Sequence, residues 1–243
     1  MKSLATVLAA ELVSLEEAGL RRHRRVLESP QRAHVSVDGR DYIAFGSNDY
    51  LGLAAHPELV AAACEGAQRY GVGAGASHLI LGHTSAHHAL EHALARFVDL
   101  PAALFFSTGY MANLGVVTTL AGRDDAIFAD KLNHASLNDA ALLSRARFKR
   151  YAHCDMRALE HLLRTSRAKT KVIISDTVFS MDGDLAPMEA LLVLARRYDA
   201  WLVLDDAHGF GVLGAHGRGI LEHSGVRDAR IAYVGTLGKA AGV

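Results

Sequence analysis

The sequence has few cysteines, no excess of either charge, and no long apolar run. Two cysteines in 243 residues, Cys64 and Cys154, lie far apart with no partner motif. That excludes a disulfide framework, and a reducing cytoplasm is the compartment expected. Lys plus Arg equals Asp plus Glu at 26 each, so no net field steers the chain toward nucleic acid or an anionic membrane. The one basic cluster, residues 21–25, reads as a solvated helix end, with ligand binding as the other option. No stretch reaches the ~20 apolar residues of a membrane span. The early apolar run over 4–10 stops at Glu11, and Leu4, Leu8, Leu12 and Leu15 recur at helical spacing. An amphipathic surface helix is expected there, not a signal peptide. Low-complexity linkers and internal repeats are also missing.

Half of the residues are apolar and about a fifth charged, as in an ordinary globular domain. Residues 1–27 read as the amphipathic helix, and 34–45 as a short β segment turning at Asp38-Gly39. Helices are expected over 57–70 and 85–98, with the Gly-rich loop 71–75 between them. From there apolar runs alternate with helical patterns. Strands are expected at 102–107, 126–129, 148–152, 171–176, 201–204 and 231–234, and helices at 109–120, 134–144, 156–165 and 187–198. This alternation predicts an α/β fold, a mostly parallel sheet flanked by helices. Residues 1–45 form an N-terminal helix and β segment, and 46–243 one large domain. The chain stops at Val243 just after a strand and a Gly-Lys turn, so the large domain is expected to be incomplete and a C-terminal domain absent.

In open α/β sheets ligands sit beyond the carboxyl ends of the strands. Here nearly every predicted strand ends in polar, glycine or titratable residues. Gly109 and Tyr110 open a helix directly after a strand, and such a terminus binds phosphate through its amides; a plain strand–helix turn accounts for the glycine equally well. Asp205 and Asp206 follow the apolar run 201–204, and a carboxylate there is costly unless paired. A pyridinium N–H is one such partner, and a metal with His208 as second ligand is another. Lys239 sits among small residues after the last strand, where a lysine of lowered pKa can attack an aldehyde. A solvated surface lysine is the alternative. Residues 235–240 are not a phosphate-binding P-loop, because Tyr233 stands where its first glycine belongs and Ala240 where Ser or Thr belongs. The glycines at 71, 73 and 75 follow a helix, not a strand, so they do not mark a dinucleotide site. The histidines at 83, 87, 88 and 92 read as solvated helix positions.

Six motifs then carry a resemblance. They are the stretches 47–53 (SNDYLGL), 107–113 (STGYMAN), 130–136 (DKLNHAS), 178–184 (VFSMDGD), 205–209 (DDAHG) and 235–239 (GTLGK). In this order they resemble the α-oxoamine synthases, within the fold-type I pyridoxal-phosphate enzymes, over almost the whole chain. The resemblance implies the large domain of a PLP-dependent transferase and decarboxylative joining of an amino acid to an acyl thioester. Lys239 would form the Schiff base with pyridoxal 5′-phosphate and then move the α-proton. Asp205 would face the pyridinium nitrogen, His134 would stack on the ring, and Ser180 and His208 would bond near its phenolic oxygen. Gly109, Tyr110 and Thr236 would hold the phosphate. Arg21 matches the family's acyl-substrate arginine, a side chain suited to a carboxylate or phosphate, and His134 and Asn48 would also meet substrate. The stretch 75–83 resembles bacterial members on the route to biotin, which take L-alanine and a pimeloyl thioester carried by coenzyme A or acyl carrier protein. Sister synthases using glycine or serine, and non-catalytic assembly subunits, share the fold. Family members are homodimers.

Overall fold

Apolar alternation and a few turn residues set the elements and the faces they bury. The computed structural model describes residues 3–243 and divides into two compact units, one ending at Gly46 and the other spanning Ser47–Val243. In the first unit, helix α1 (Leu4–Glu17) begins where the Ser3 hydroxyl accepts the Thr6 amide. It ends well before residue 27. Gly19 takes φ 66°, its amide bonds to Glu16 and that of Leu20 to Leu15, the paired bonds of a Schellman cap that only a residue tolerant of left-handed backbone accepts cheaply. Strands β1 (His34–Val37) and β2 (Arg40–Ile43) pair antiparallel. Asp38 and Gly39 between them both have positive φ, the turn whose twist matches a hairpin.

The second unit runs through α2 (Pro57–Tyr70), a single π turn (His78–Gly82), α3 (Ser85–Val98), α4 (Gly109–Leu120), β3 (Ala126–Asp130), α5 (Ala135–Leu143) and β4 (Arg147–Tyr151). It continues with α6 (Met156–Thr165), β5 (Lys171–Asp176), α7 (Met188–Arg197), β6 (Ala200–Asp205), α8 (Ile220–Ser224) and β7 (Ile231–Val234). The five strands of its sheet lie in the order β4-β3-β5-β6-β7 and are all parallel. The sheet is buried on both faces. Phe128, Ile173, Leu202 and Leu204 pack with Leu159 and Leu163 of α6 and Leu191 and Ala195 of α7. The intervening residues Ile127, Val172, Ile174 and Val203 pack with Val117 of α4 and Leu137, Ala140 and Ala141 of α5. This period of two decides which strand-end residues face α4 and α5.

Residues 102–107 do not form the expected strand. The run has no ladder partner among the described residues, and Leu104 is 78% exposed. The Phe105 amide goes to Glu91 Oε1 at 2.9 Å. Apolarity makes a segment extended, but pairing alone makes it a strand. The short helix α8 and the π turn were not expected, being too brief to show a period.

Asp206 anchors the loop between β6 and α8. Its fully buried carboxylate accepts from the Thr177 hydroxyl, the Ile220 amide at 2.8 Å and the Tyr233 hydroxyl at 2.7 Å. Gly219 crosses it at φ 85°, where a Cβ would come within 2.1 Å of Asp206 Oδ2. Replacing Asp206 by Ala leaves the Ile220 amide and the Tyr233 hydroxyl without their acceptor, and the Thr177 hydroxyl with only the Asp205 carbonyl at 3.3 Å. The expected loss is about 3 kcal/mol or more, measured as a lowered urea midpoint with an unchanged slope.

Candidate active site

Strand alternation places Asp176 on the face of Ile174, and Asp205 on the face of Val203, both toward α4 and α5. The two are register partners on neighbouring strands. Above them a cavity is lined by Gly109, Tyr110 and Asn113 of α4, by His134 and Ser136 at the start of α5, and by Asp176. Asp205, Ala207 and His208 after β6, and Gly235, Thr236 and Lys239 after β7, complete its wall. Three strand ends and two helix N-termini therefore converge, as the geometry of open parallel sheets favours.

A hydrogen-bonded chain orders the polar floor. Asn113 Nδ2 donates to Asp205 Oδ2 at 2.6 Å and to Ser136 Oγ at 2.9 Å. Asp205 Oδ1 accepts the Ala207 amide at 3.0 Å. Ser136 Oγ lies 2.7 Å from His134 Nδ1, and the Ser136 amide donates to the same nitrogen at 3.2 Å. With Nδ1 accepting, a neutral His134 ring carries its proton on Nε2. The His134 amide donates to Asp176 Oδ2 at 3.0 Å, so both carboxylates hold the segment that presents this imidazole. Thr108 caps α4 by accepting the Met111 amide at 3.1 Å. The Gly109 and Tyr110 amides belong to the first helical turn, which has no intrahelical acceptors.

Burial and charge tune the titratable groups. Burial lowers Lys239 below the usual lysine range, against the opposing pull of Asp205 and Asp176. His208 is also lowered, first by burial and then by the Lys239 ammonium. Burial and the neighbouring Asp205 push Asp176 up to about 7. His208 Nδ1 stands 2.6 Å from the Tyr50 hydroxyl, which donates to Asn48 Oδ1 at 3.2 Å.

Of the residues singled out in the sequence, Lys239, His134, Asp205, Gly109, Tyr110, His208 and Thr236 line this one cavity. Asn48 is off its wall and joins His208 through Tyr50. Ser180 is also off the wall, on an exposed turn within the segment bracketed by the Val178–Leu185 bridge. Arg21 lies in the N-terminal unit, paired with Glu16 at 3.1 Å. Asp206 is spoken for by Thr177, Ile220 and Tyr233, so the adjacent aspartates have separate work. Asn113, Ser136 and Asp176 had drawn no role from the sequence. Asn113 and Ser136 stand last in the motifs 107–113 and 130–136, and Asp176 ends a strand.

Residues 40–243 match the family described as aminotransferase class I and II. A protein of Nitrosospira multiformis named 8-amino-7-oxononanoate synthase is 67% identical over 224 residues, covering 92% of this chain and 57% of that protein. A serine palmitoyltransferase from S. paucimobilis, solved with a bound PLP–myriocin aldimine, superposes with a TM-score of 0.90 at 31% identity, over 99% of this chain and 62% of that one. The 8-amino-7-oxononanoate synthase of Francisella tularensis superposes with a TM-score of 0.69 at 35% identity, over 82% of this chain and 55% of that one. The chain thus spans about three-fifths of the length of the curated relatives it matches. With its sheet, its strand-end cavity and the family match all extending over the second unit, the chain belongs to the aminotransferase class I and II family.

Proposed function

We propose that this chain carries the pyridoxal-phosphate site of an 8-amino-7-oxononanoate synthase. The whole protein would condense L-alanine with a pimeloyl thioester, giving 8-amino-7-oxononanoate, CO₂ and the free thiol of coenzyme A or acyl carrier protein. One observation carries the reading: an amine, a buried carboxylate and an imidazole, from three separate elements, line a single cavity. The name and high identity of the Nitrosospira relative support the substrate assignment.

The donor set fits the cofactor. Amides at a helix start, a hydroxyl, a carboxylate, imidazoles and an amine all line the one cavity. The Gly109 and Tyr110 amides and the Thr236 hydroxyl suit a phosphate. Asp205, fixed by Asn113 and Ala207, suits a ring N–H⁺. Bound pyridoxal phosphate would supply an electron sink for charge developing at the amino acid's α-carbon. Lys239 Nζ is the amine for the aldehyde, and once freed it holds the α-proton. Its lowered pKa leaves a larger neutral fraction near neutrality, the form that attacks and accepts protons. His134 would cover the ring face, and His208, steadied by Tyr50, would meet a ring oxygen. Arg21 and Asn48 remain the candidates for acyl-substrate and amino-acid carboxylates, and Ser180 for a further ring contact. We further propose a cytoplasmic homodimer with small-molecule substrates, and no membrane or nucleic-acid partner. Among the described residues no helix is long and apolar enough to cross a membrane.

The higher TM-score with serine palmitoyltransferase favours a second reading, a sister synthase using serine or glycine. Two measurements separate the possibilities. Adding pyridoxal phosphate to this chain at about pH 8 should give an absorbance band that borohydride fixes on the Lys239 peptide, since a lysine of ordinary pKa is almost wholly protonated there. Lys239→Ala should lose the band, and an unchanged band would remove Lys239 from the site. In the full-length protein, thiol release should be fastest with L-alanine and fall about 100-fold or more in Lys239→Ala. A preference for glycine or serine would support the sister enzyme.

A further inference from the structure

Helix α3 carries His88 and His92 four residues apart, both exposed. At that spacing side chains are neighbours on successive turns. Their rings meet edge to face with centroids 4.5 Å apart, and the two Nε2 atoms stand 3.1 Å from each other. Among the described residues neither ring has another hydrogen-bond partner. The nearby histidines are engaged elsewhere. His87 Nδ1 accepts the Thr84 amide at 3.2 Å and closes the helix cap. His83 Nδ1 lies 3.1 Å from His78 Nδ1, with its Nε2 toward Glu91.

Two converging imidazole nitrogens can share a proton or a cation. A proton shared between exposed rings competes with water at every moment, so it adds little. A metal ion uses both lone pairs at once. With bonds of 2.0–2.1 Å around tetrahedral zinc, two ligand nitrogens lie about 3.3 Å apart, so this pair already has nearly the required span. No third protein ligand atom stands within reach among the described residues, which leaves water to complete the coordination. A purely imidazole donor set selects zinc, nickel or copper, whereas magnesium and calcium take oxygen.

One other cluster brings ligand types together: atoms of Asp130, His153 and Cys154 lie within 4.8 Å of one another. It is closed by its own bonds. His153 Nδ1 is 3.0 Å from Asp130 and its Nε2 2.7 Å from Asp184. Burial pushes the Cys154 thiol up to about 11, so the sulfur keeps its proton near neutrality. The pair on α3 is the better seat, with both nitrogens open to solvent.

We propose that His88 and His92 form a binding site for a divalent zinc, nickel or copper ion, held through both Nε2 atoms with water in the remaining positions. Bound there, the ion ties successive turns of α3 together. The site uses none of the residues lining the strand-end cavity, so it stands or falls independently of the cofactor reading.

The test uses this chain, stripped with a chelator, and zinc chloride as the only probe. Isothermal titration should give wild type one more equivalent of bound zinc than the double variant His88→Gln, His92→Gln. Each single substitution should weaken that equivalent about tenfold or more, at least what losing a supporting outer partner of a metal ligand costs. Glutamine is a good helix former and both positions are exposed, so metal-free thermal midpoints should agree. Zinc should then raise the wild-type midpoint further than the variant's, because it binds an additional folded-state site. Equal stoichiometry and affinity in wild type and double variant would overturn the proposal, as would magnesium displacing that equivalent on even terms. Should the double variant lose its metal-free midpoint, wild type alone decides. Zinc must then shift the imidazole ¹⁵N resonances of both His88 and His92, and resonances that stay in place would overturn the site.

Discussion

Everything at this site depends on keeping the Asp205 carboxylate at the end of a strand buried on both faces. An unpaired charge there would cost several kcal/mol, and its satisfaction reaches well beyond the residue itself. Asn113 must come from the first turns of α4 to meet one oxygen, and Ala207 must turn back to meet the other. Asn113 then holds Ser136, and Ser136 holds the His134 ring. The imidazole that faces the cavity is placed by the need to solvate an acid two elements away. The same anion counters the burial that depresses Lys239, so the protonation of this amine is tied to the floor of the cavity.

Asp206, one residue later, shows how sharply a single step along the chain divides labour. It points away from the cavity into the layer bounded by Tyr233 and α8, and its bonds fasten the loop 207–219 that returns to the sheet. Gly219 belongs to that buttress, where only hydrogen fits against the carboxylate. The loop's glycines therefore serve chain packing rather than ligand approach. The result is a rigid seat for His208, whose ring is steadied from the other side by Tyr50. Preorganisation of this kind matters because a polar group buried beforehand need not be reordered when a ligand arrives.

Much of this was legible in the residues. The helices over 57–70, 85–98, 109–120 and 156–165 coincide with the structure because their apolar spacing and caps are local properties. The strands 171–176 and 231–234 were legible for the same reason, each built on a short apolar run, 172–174 and 231–234. Lys239, Asp205, His134, Gly109, Tyr110, His208 and Thr236 could be singled out because each stands at a strand or helix end with chemistry to offer. The run 102–107 was misread because pairing is not a property of one segment. Ser180 stood in a motif, but its turn leaves it away from the wall, and Asn113 and Asp176 were overlooked because their importance comes from which atoms they meet. The sequence by itself determined the α/β class, the order of elements and which polar and titratable groups stand at the strand ends, since these follow from periodicity and side-chain chemistry along the chain. Tertiary structure alone decided that Asp176 and Asp205 stand side by side under one cavity while Asp206 faces away, because sheet register and the two-residue alternation act between strands far apart in the chain.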